Sequence, residues 1–212
     1  HRLAIGLYDF SGDKLERVDR VEIDVDGERT EVPELVGRHR SALILVNDDD
    51  LAYAKVRLDD ESLKVAIEHL GSIENPLARS IVWGSAWDST RDAEVAARDY
   101  VRLVLGNIAS ETESTTIRTT LGQLALVARQ YVDPATRAAT ITEVGNSLWA
   151  LAQQADAGSD AQFQFVKFFA AIASTDTSAV SSLSWTATAL TPLNFSSLAL
   201  VSRARIRLRA SW

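Results

Sequence analysis

The hydrophobic period of this chain changes once, at Asp59, and that change constrains the fold more than any other feature. Before it, apolar residues recur every second position: Leu3, Ile5 and Leu7 share one face of a strand, and Val21, Ile23 and Val25 oppose Glu22 and Asp24. After it they recur at the helical period, as in Leu63, Ile67 and Leu70. The chain is therefore expected to be α+β by segregation. A small antiparallel β-sandwich is predicted over residues 1–58, and an α-helical, solenoid-like domain of the HEAT/armadillo kind over 59–212.

Within the first segment, Ser11-Gly12-Asp13 supplies a turn, and Asp26-Gly27 reads as a tight hairpin because both positions favour a positive backbone angle. Val32-Pro33 ends a third strand or lies on an edge, since proline donates nothing to a ladder. Ala42 to Val46 is an unbroken apolar run suited to a strand buried on both faces, and Tyr53 to Leu58 alternates again. That makes about five strands.

Beyond Asp59, the start and stop signals are those of helices. Asp59 or Asp60 caps a helix that ends at Gly71, and Asn75-Pro76 starts the next, a device repeated at Asp133-Pro134. Apolar stripes follow in order: Val101, Val104, Leu105 and Ile108; Ile117, Leu121, Leu124 and Ala128; Ile141, Val144, Leu148 and Leu151; Phe163, Val166 and Ala170. Polar breaks at 109–114 and 155–159 turn consecutive helices back on one another. Ser174 to Ser197 is rich in Ser and Thr, and Arg203, Arg205, Arg207 and Arg209 spread around a helix as solvated cations.

Composition narrows the function. Of 212 residues, 46% are apolar and 24% charged, as in an ordinary globular protein, and the net charge of -7 argues against a nucleic-acid partner. The absence of cysteine excludes disulfides and thiolate metal sites and permits a reducing compartment. No run approaches the roughly 18 apolar residues of a membrane helix. The chain opens at His1 with a strand pattern under way and no signal peptide, so it reads as a piece of something longer, with the cytoplasm as its expected location.

No catalytic constellation is visible. A zinc hydrolase of the His-Glu-x-x-His kind needs two histidines one helical turn apart, but the histidines here are His1, His39 and His69, none followed by glutamate. His39 lies between Arg38 and Arg40, which repel a cation. There is no Gly-x-Ser-x-Gly elbow and no phosphate cradle; Gly84-Ser85 reads as helix interior and Gly158-Ser159 as loop. Glu22-x-Asp24-x-Asp26-Gly27 imitates a calcium loop, yet Ile23 and Val25 fit an apolar sheet face and position twelve would be Pro33. Asp48-Asp49-Asp50 projects in three directions, as a solvated turn does, rather than as a metal site. Trp83 and Trp87, four apart on one helix face, suit a core or interdomain contact better than a ligand platform. No residue is assigned a catalytic, cofactor or metal role.

Three stretches at the start, His1 to Asp9, Val21 to Gly27 and Thr30 to Gly37, resemble actinobacterial aminopeptidase N. So do Asn47 to Asp59 and Trp83 to Glu94, which are the most specific marks of that zinc metallopeptidase family in this chain. The resemblance implies a C-terminal portion: the small β-sandwich linker domain over residues 1–58 and, over 59–212, the first part of a helical bowl that encloses the active site and substrate cavity. It implies zinc in the parent enzyme and none in this portion. The family's zinc motif, its Gly-x-Met-Glu-Asn segment and its catalytic tyrosine have no counterpart here. The implied partners are the remainder of its own chain and peptide substrates, with neither nucleic acid nor membrane. The alternative is a stand-alone sandwich-and-solenoid adaptor for protein binding, without enzymatic activity.

Overall fold

The structure, a computed structural model, describes residues 1–173. The Ser/Thr-rich stretch 174–197 and Arg203, Arg205, Arg207 and Arg209 lie outside the described residues. The chain divides into two compact units, His1–Glu111 and Thr112–Trp212.

In the first unit, β1 (Arg2–Ser11), β2 (Lys14–Asp24) and β3 (Leu43–Val46) form one antiparallel sheet in the order β2-β1-β3. Gly12, at φ +61°, and Asp13 close the expected turn between β1 and β2. One residue breaks the register. Leu7 faces Asp19 but Tyr8 faces Arg17, so Val18 is a bulge. Side chains directly opposite one another share a face, and the bulge therefore puts Arg17 and Arg20, three apart, on the same face as Gly6 and Tyr8.

Three strands stand where about five are expected from the pattern. Asp26-Gly27 does not close a hairpin: Thr30 ties back to Asp26 through its hydroxyl, and Pro33 opens a 3-10 turn, Pro33–Leu35. Tyr53 to Leu58 has no regular secondary structure and joins no ladder among the described residues. In β1 all of Ala4 to Tyr8 is buried, so the strand covered on both faces is β1; in β3 only Leu43 and Leu45 are fully buried.

Helix α1 (Asp60–His69) starts at Asp59, whose carboxylate accepts from the Glu61 and Ser62 amides at 3.1 and 3.0 Å. Such a cap contributes about 1 kcal/mol. Its buried line is Ser62, Ala66 and Leu70, with Leu63 and Ile67 on the shoulder. Small residues at the centre let the helix lie close to β3, and the Ile44 amide donates to Ser62 Oγ at 2.9 Å. Helix α2 (Pro76–Arg91) is capped by Asn75, and α3 (Ala97–Asn107) buries Tyr100, Val101, Leu103 and Val104. Asn107 fastens α3 to the end of α1, receiving the Gly71 amide at 2.8 Å and donating to the Ile67 carbonyl at 2.9 Å.

In the second unit, α4 (Ser114–Leu126) runs into a π-helical turn, Val127–Tyr131, and the predicted stripe Ile117, Leu121, Leu124 and Ala128 is buried. Asp133-Pro134 opens a turn rather than a helix; α5 begins three residues after the proline (Arg137–Gln154) and packs against α6 (Asp160–Ala173). The buried face of α6 is Gln162, Phe165, Val166 and Ile172, whereas Phe163 is exposed. Gln162 sets that rotation: its side chain donates to the Ala152 carbonyl and accepts the Gly158 amide, at 3.1 and 2.9 Å. Among the described residues the fold is α+β, with sheet and helices segregated along the chain. None of these helices is long and apolar enough to cross a membrane.

Candidate functional site

The densest polar constellation lies where β3 ends. Asn47, Asp49 and Asp50 all adopt left-handed backbone angles, with φ of 59°, 68° and 54°. Asn and Asp tolerate this at a cost on the order of 1 kcal/mol each. Asn47 holds the turn shut, accepting from the Ala52 amide at 3.1 Å and donating to the Ala52 carbonyl at 2.8 Å. The reversal drives Asp48 back over β1.

Asp48 is fully buried, which corrects the expectation of a solvated Asp48-Asp49-Asp50 turn. The Tyr8 hydroxyl lies 3.0 and 3.1 Å from its two oxygens, and Arg17 Nη1 donates to it at 3.0 Å. Burial and the Asp48 charge push the Tyr8 hydroxyl well above its ordinary pKa. Gly6 makes room: a Cβ there would stand 2.1 Å from Asp48 Oδ2. Outward from Asp48 the charges alternate. Arg17 also reaches Asp49 at 2.8 Å, Arg20 bonds Asp49 and Glu22 at 2.6 and 2.7 Å, and Arg2 bonds Glu22 at 2.6 Å. Hydrogen bonds from Arg17 and then Arg20 hold Asp49 below the usual carboxylate range, and Arg20 and Arg2 do the same for Glu22. The calcium-loop imitation is thus dissolved, since Glu22 and Asp24 belong to β2.

The two stretches singled out in the sequence, 47–59 and 83–94, meet. Ser85 Oγ, inside α2, donates to the Val56 carbonyl at 3.1 Å. Lys55 and Arg57 each bond Asp92 at 2.5 Å, and Arg57 also bonds Glu94. Asp92 is held below its ordinary range, chiefly by the Lys55 hydrogen bond.

A second buried carboxylate lies further on. Glu111 accepts from Arg79 Nε and Nη2 at 2.8 and 3.2 Å and from the Trp83 indole at 2.7 Å. Arg79 also donates to the Ile73 and Glu74 carbonyls at 2.7 and 3.0 Å. Trp83 is therefore a core residue, while Trp87 stands with its ring centroid 5.9 Å from that of Tyr100. Sequence reasoning missed Arg79 and Glu111, because charged residues 32 positions apart carry no periodic signal.

His39 is exposed, and His69 packs edge-on against Phe10 at 4.9 Å. Among the described residues no group of three or more His, Asp or Glu side chains is placed to hold a metal ion. A cleft of about 340 Å³ lies between the β1–β2 turn region and residues 73–75, with the Lys14–Glu74 ion pair beside it. Its Tyr8 and Arg17 are both committed to Asp48. What these clusters do chemically is fasten: each buried charge meets an opposite one with its hydrogen bonds made.

A three-stranded sheet that hands over to helices through a charge-locked turn defines a segregated α+β domain. The model of a family described as the ERAP1-like C-terminal domain matches residues 43–188, and the chain belongs to that family. It is similar to the Aminopeptidase N of Streptomyces lividans, with 51% identity over 176 residues, which is 82% of this chain and 20% of the relative. The resemblance to aminopeptidase N is borne out. The chain spans about a fifth of that relative's length.

Proposed function

We propose that this chain is a portion of a zinc-dependent aminopeptidase that removes N-terminal residues from peptides through attack by metal-activated water. The zinc and the catalytic groups belong to the remainder of the same chain. This portion carries no catalytic step of its own and helps to enclose the active site and the substrate cavity. Residues 1–58 are a small β-sandwich that links the helices to the catalytic part of the enzyme, and 59–212 the first part of a solenoid-like helical domain. The enzyme works in the cytoplasm, and the partners of this portion are the rest of the chain and peptide substrates, not nucleic acid or membrane.

The observation that carries this reading is the 51% identity over 176 residues to an Aminopeptidase N. The sequence inventory agrees with it, since His1, His39 and His69 form no His-Glu-x-x-His pair. The test is hydrolysis of an aminoacyl reporter by the full-length protein that contains this sequence, and by this chain alone. Activity in the full-length protein that a chelator abolishes and zinc restores is expected, with none from the chain alone. Zinc-dependent hydrolysis by the isolated chain, or an inactive full-length protein, would overturn the reading.

A further inference from the structure

Asp26-Gly27 closes no hairpin, and it is the one Asp-Gly pair in the sequence. Both residues are exposed and belong to neither strand nor helix. Thr30 holds only the Asp26 backbone: its hydroxyl accepts from the Asp26 amide and donates to the Asp26 carbonyl, each at 3.1 Å. Among the described residues the Asp26 carboxyl has no hydrogen bond or ion pair, and the Gly27 amide has no hydrogen bond. Gly27 sits at φ +70°, and a Cβ there would meet nothing within 4 Å. A side-chain carboxyl, an unengaged main-chain nitrogen and open space thus stand side by side. Glycine favours a reaction between them because it lacks the Cβ that elsewhere shields the nitrogen and narrows the backbone angles. Thr30 favours it too. Loss of the Gly27 amide proton puts negative charge on the Asp26 carbonyl oxygen, to which that hydroxyl donates.

We propose that Asp26 is a site of spontaneous isomerisation to isoaspartate. The Gly27 nitrogen attacks Cγ of the neutral Asp26 carboxyl; the N–Cγ bond forms, and the amide proton and the carboxyl hydroxyl leave together as water. A second water opens the resulting five-membered imide. Opening at Cγ restores aspartate, whereas opening at the main-chain carbonyl carbon breaks the original peptide bond and leaves the chain running through Cγ. Water is the only co-reactant, and nothing is oxidised or reduced. The product carries an extra main-chain carbon between β2 and Thr30. It also carries a free α-carboxylate, the group that an isoaspartate-repair methyltransferase esterifies. Two neighbours serve as comparisons. Asp13 is equally exposed in the turn after Gly12 but precedes Lys14, and Asp24 ends β2 and precedes Val25, whose amide bonds the His1 carbonyl at 2.7 Å.

The experiment is incubation of the folded full-length protein that contains this sequence, over weeks at physiological temperature, in water enriched in heavy oxygen. Electron-transfer fragmentation of the tryptic peptides then locates isoaspartate and heavy oxygen. Isoaspartate at Asp26 should form on the order of tenfold faster than at Asp13 or Asp24, with a heavy oxygen taken up at each ring opening. Asp26→Glu, which would need a larger ring, loses the modification. Asp26→Asn, which releases ammonia in place of water through the same imide, gains it faster. Equal rates at Asp26 and Asp13 overturn the proposal. So does conversion that appears only in the unfolded protein, since the folded loop would then be closed to the reaction. Isoaspartate that persists in peptide 21–29 of Asp26→Glu would assign it to Asp24 and sink the proposal as well.

Discussion

Asp48 and Glu111 are two carboxylates with side chains 0% and 1% exposed, held in opposite ways. Glu111 is sealed: its arginine is 7% exposed, grips it with two nitrogens and spends a third on backbone carbonyls. Asp48 is vented, because Arg17 is 35% exposed and passes the charge along an alternating row to the surface. A sealed pair is brittle, since losing one partner strands the other without water. The vented one has solvent and neighbouring charges to fall back on.

The largest expected effect is therefore at the sealed site. Glu111→Ala leaves the Arg79 guanidinium and the Trp83 indole unpaired, and should cost about 3–5 kcal/mol by urea denaturation. Next comes Gly6→Ala, whose added methyl must displace the Asp48 carboxylate; overpacking of this kind costs about 1–3 kcal/mol. If the variant is as stable as the parent, the close approach of Asp48 to β1 is wrong. Tyr8→Phe deletes one hydrogen bond to Asp48 while Arg17 remains, and about 1–1.5 kcal/mol should be lost. The smallest effect is acid sensitivity. Asp49 and Asp92 have folded pKa values below their ordinary ones, so their contribution is complete above the unfolded value near about 4 and is lost as pH falls through the depressed values. Unfolding midpoints measured between about pH 6 and pH 3 should fall only toward the acid end, and less in Asp92→Asn than in the parent.

The same contrast explains what the sequence makes legible. Alternation in 1–11, the caps at Asp59 and Asn75 and the stripes of α4 and α5 are local signals, and the structure keeps them. Residues 26–35 mislead because Asp-Gly is turn chemistry with or without a partner strand, and Thr30 supplies a local alternative. Tyr53 to Leu58 has strand periodicity without a ladder, since a period reports a preference and not a neighbour. The face of α6 is turned by the Gln162 hydrogen bonds, which apolar spacing does not encode. Both buried carboxylates escape for a related reason. Asp48 belongs to an acidic triplet that reads as solvated, and only the Val18 bulge brings Arg17 and Arg20 round to it; nothing in the pattern marks an extra residue in that strand.

The proposed function makes the stretches 47–59 and 83–94 a fastening between sheet and helices, with no part in chemistry. Its most direct test is Asp48→Asn in the full-length protein that contains this sequence, with the thermal midpoint and the kcat of the proposed aminopeptidase per folded molecule measured on the same preparation. The account predicts a midpoint lowered by the loss of about 1–2 kcal/mol, with kcat unchanged. A kcat that falls while the midpoint stays put would contradict it.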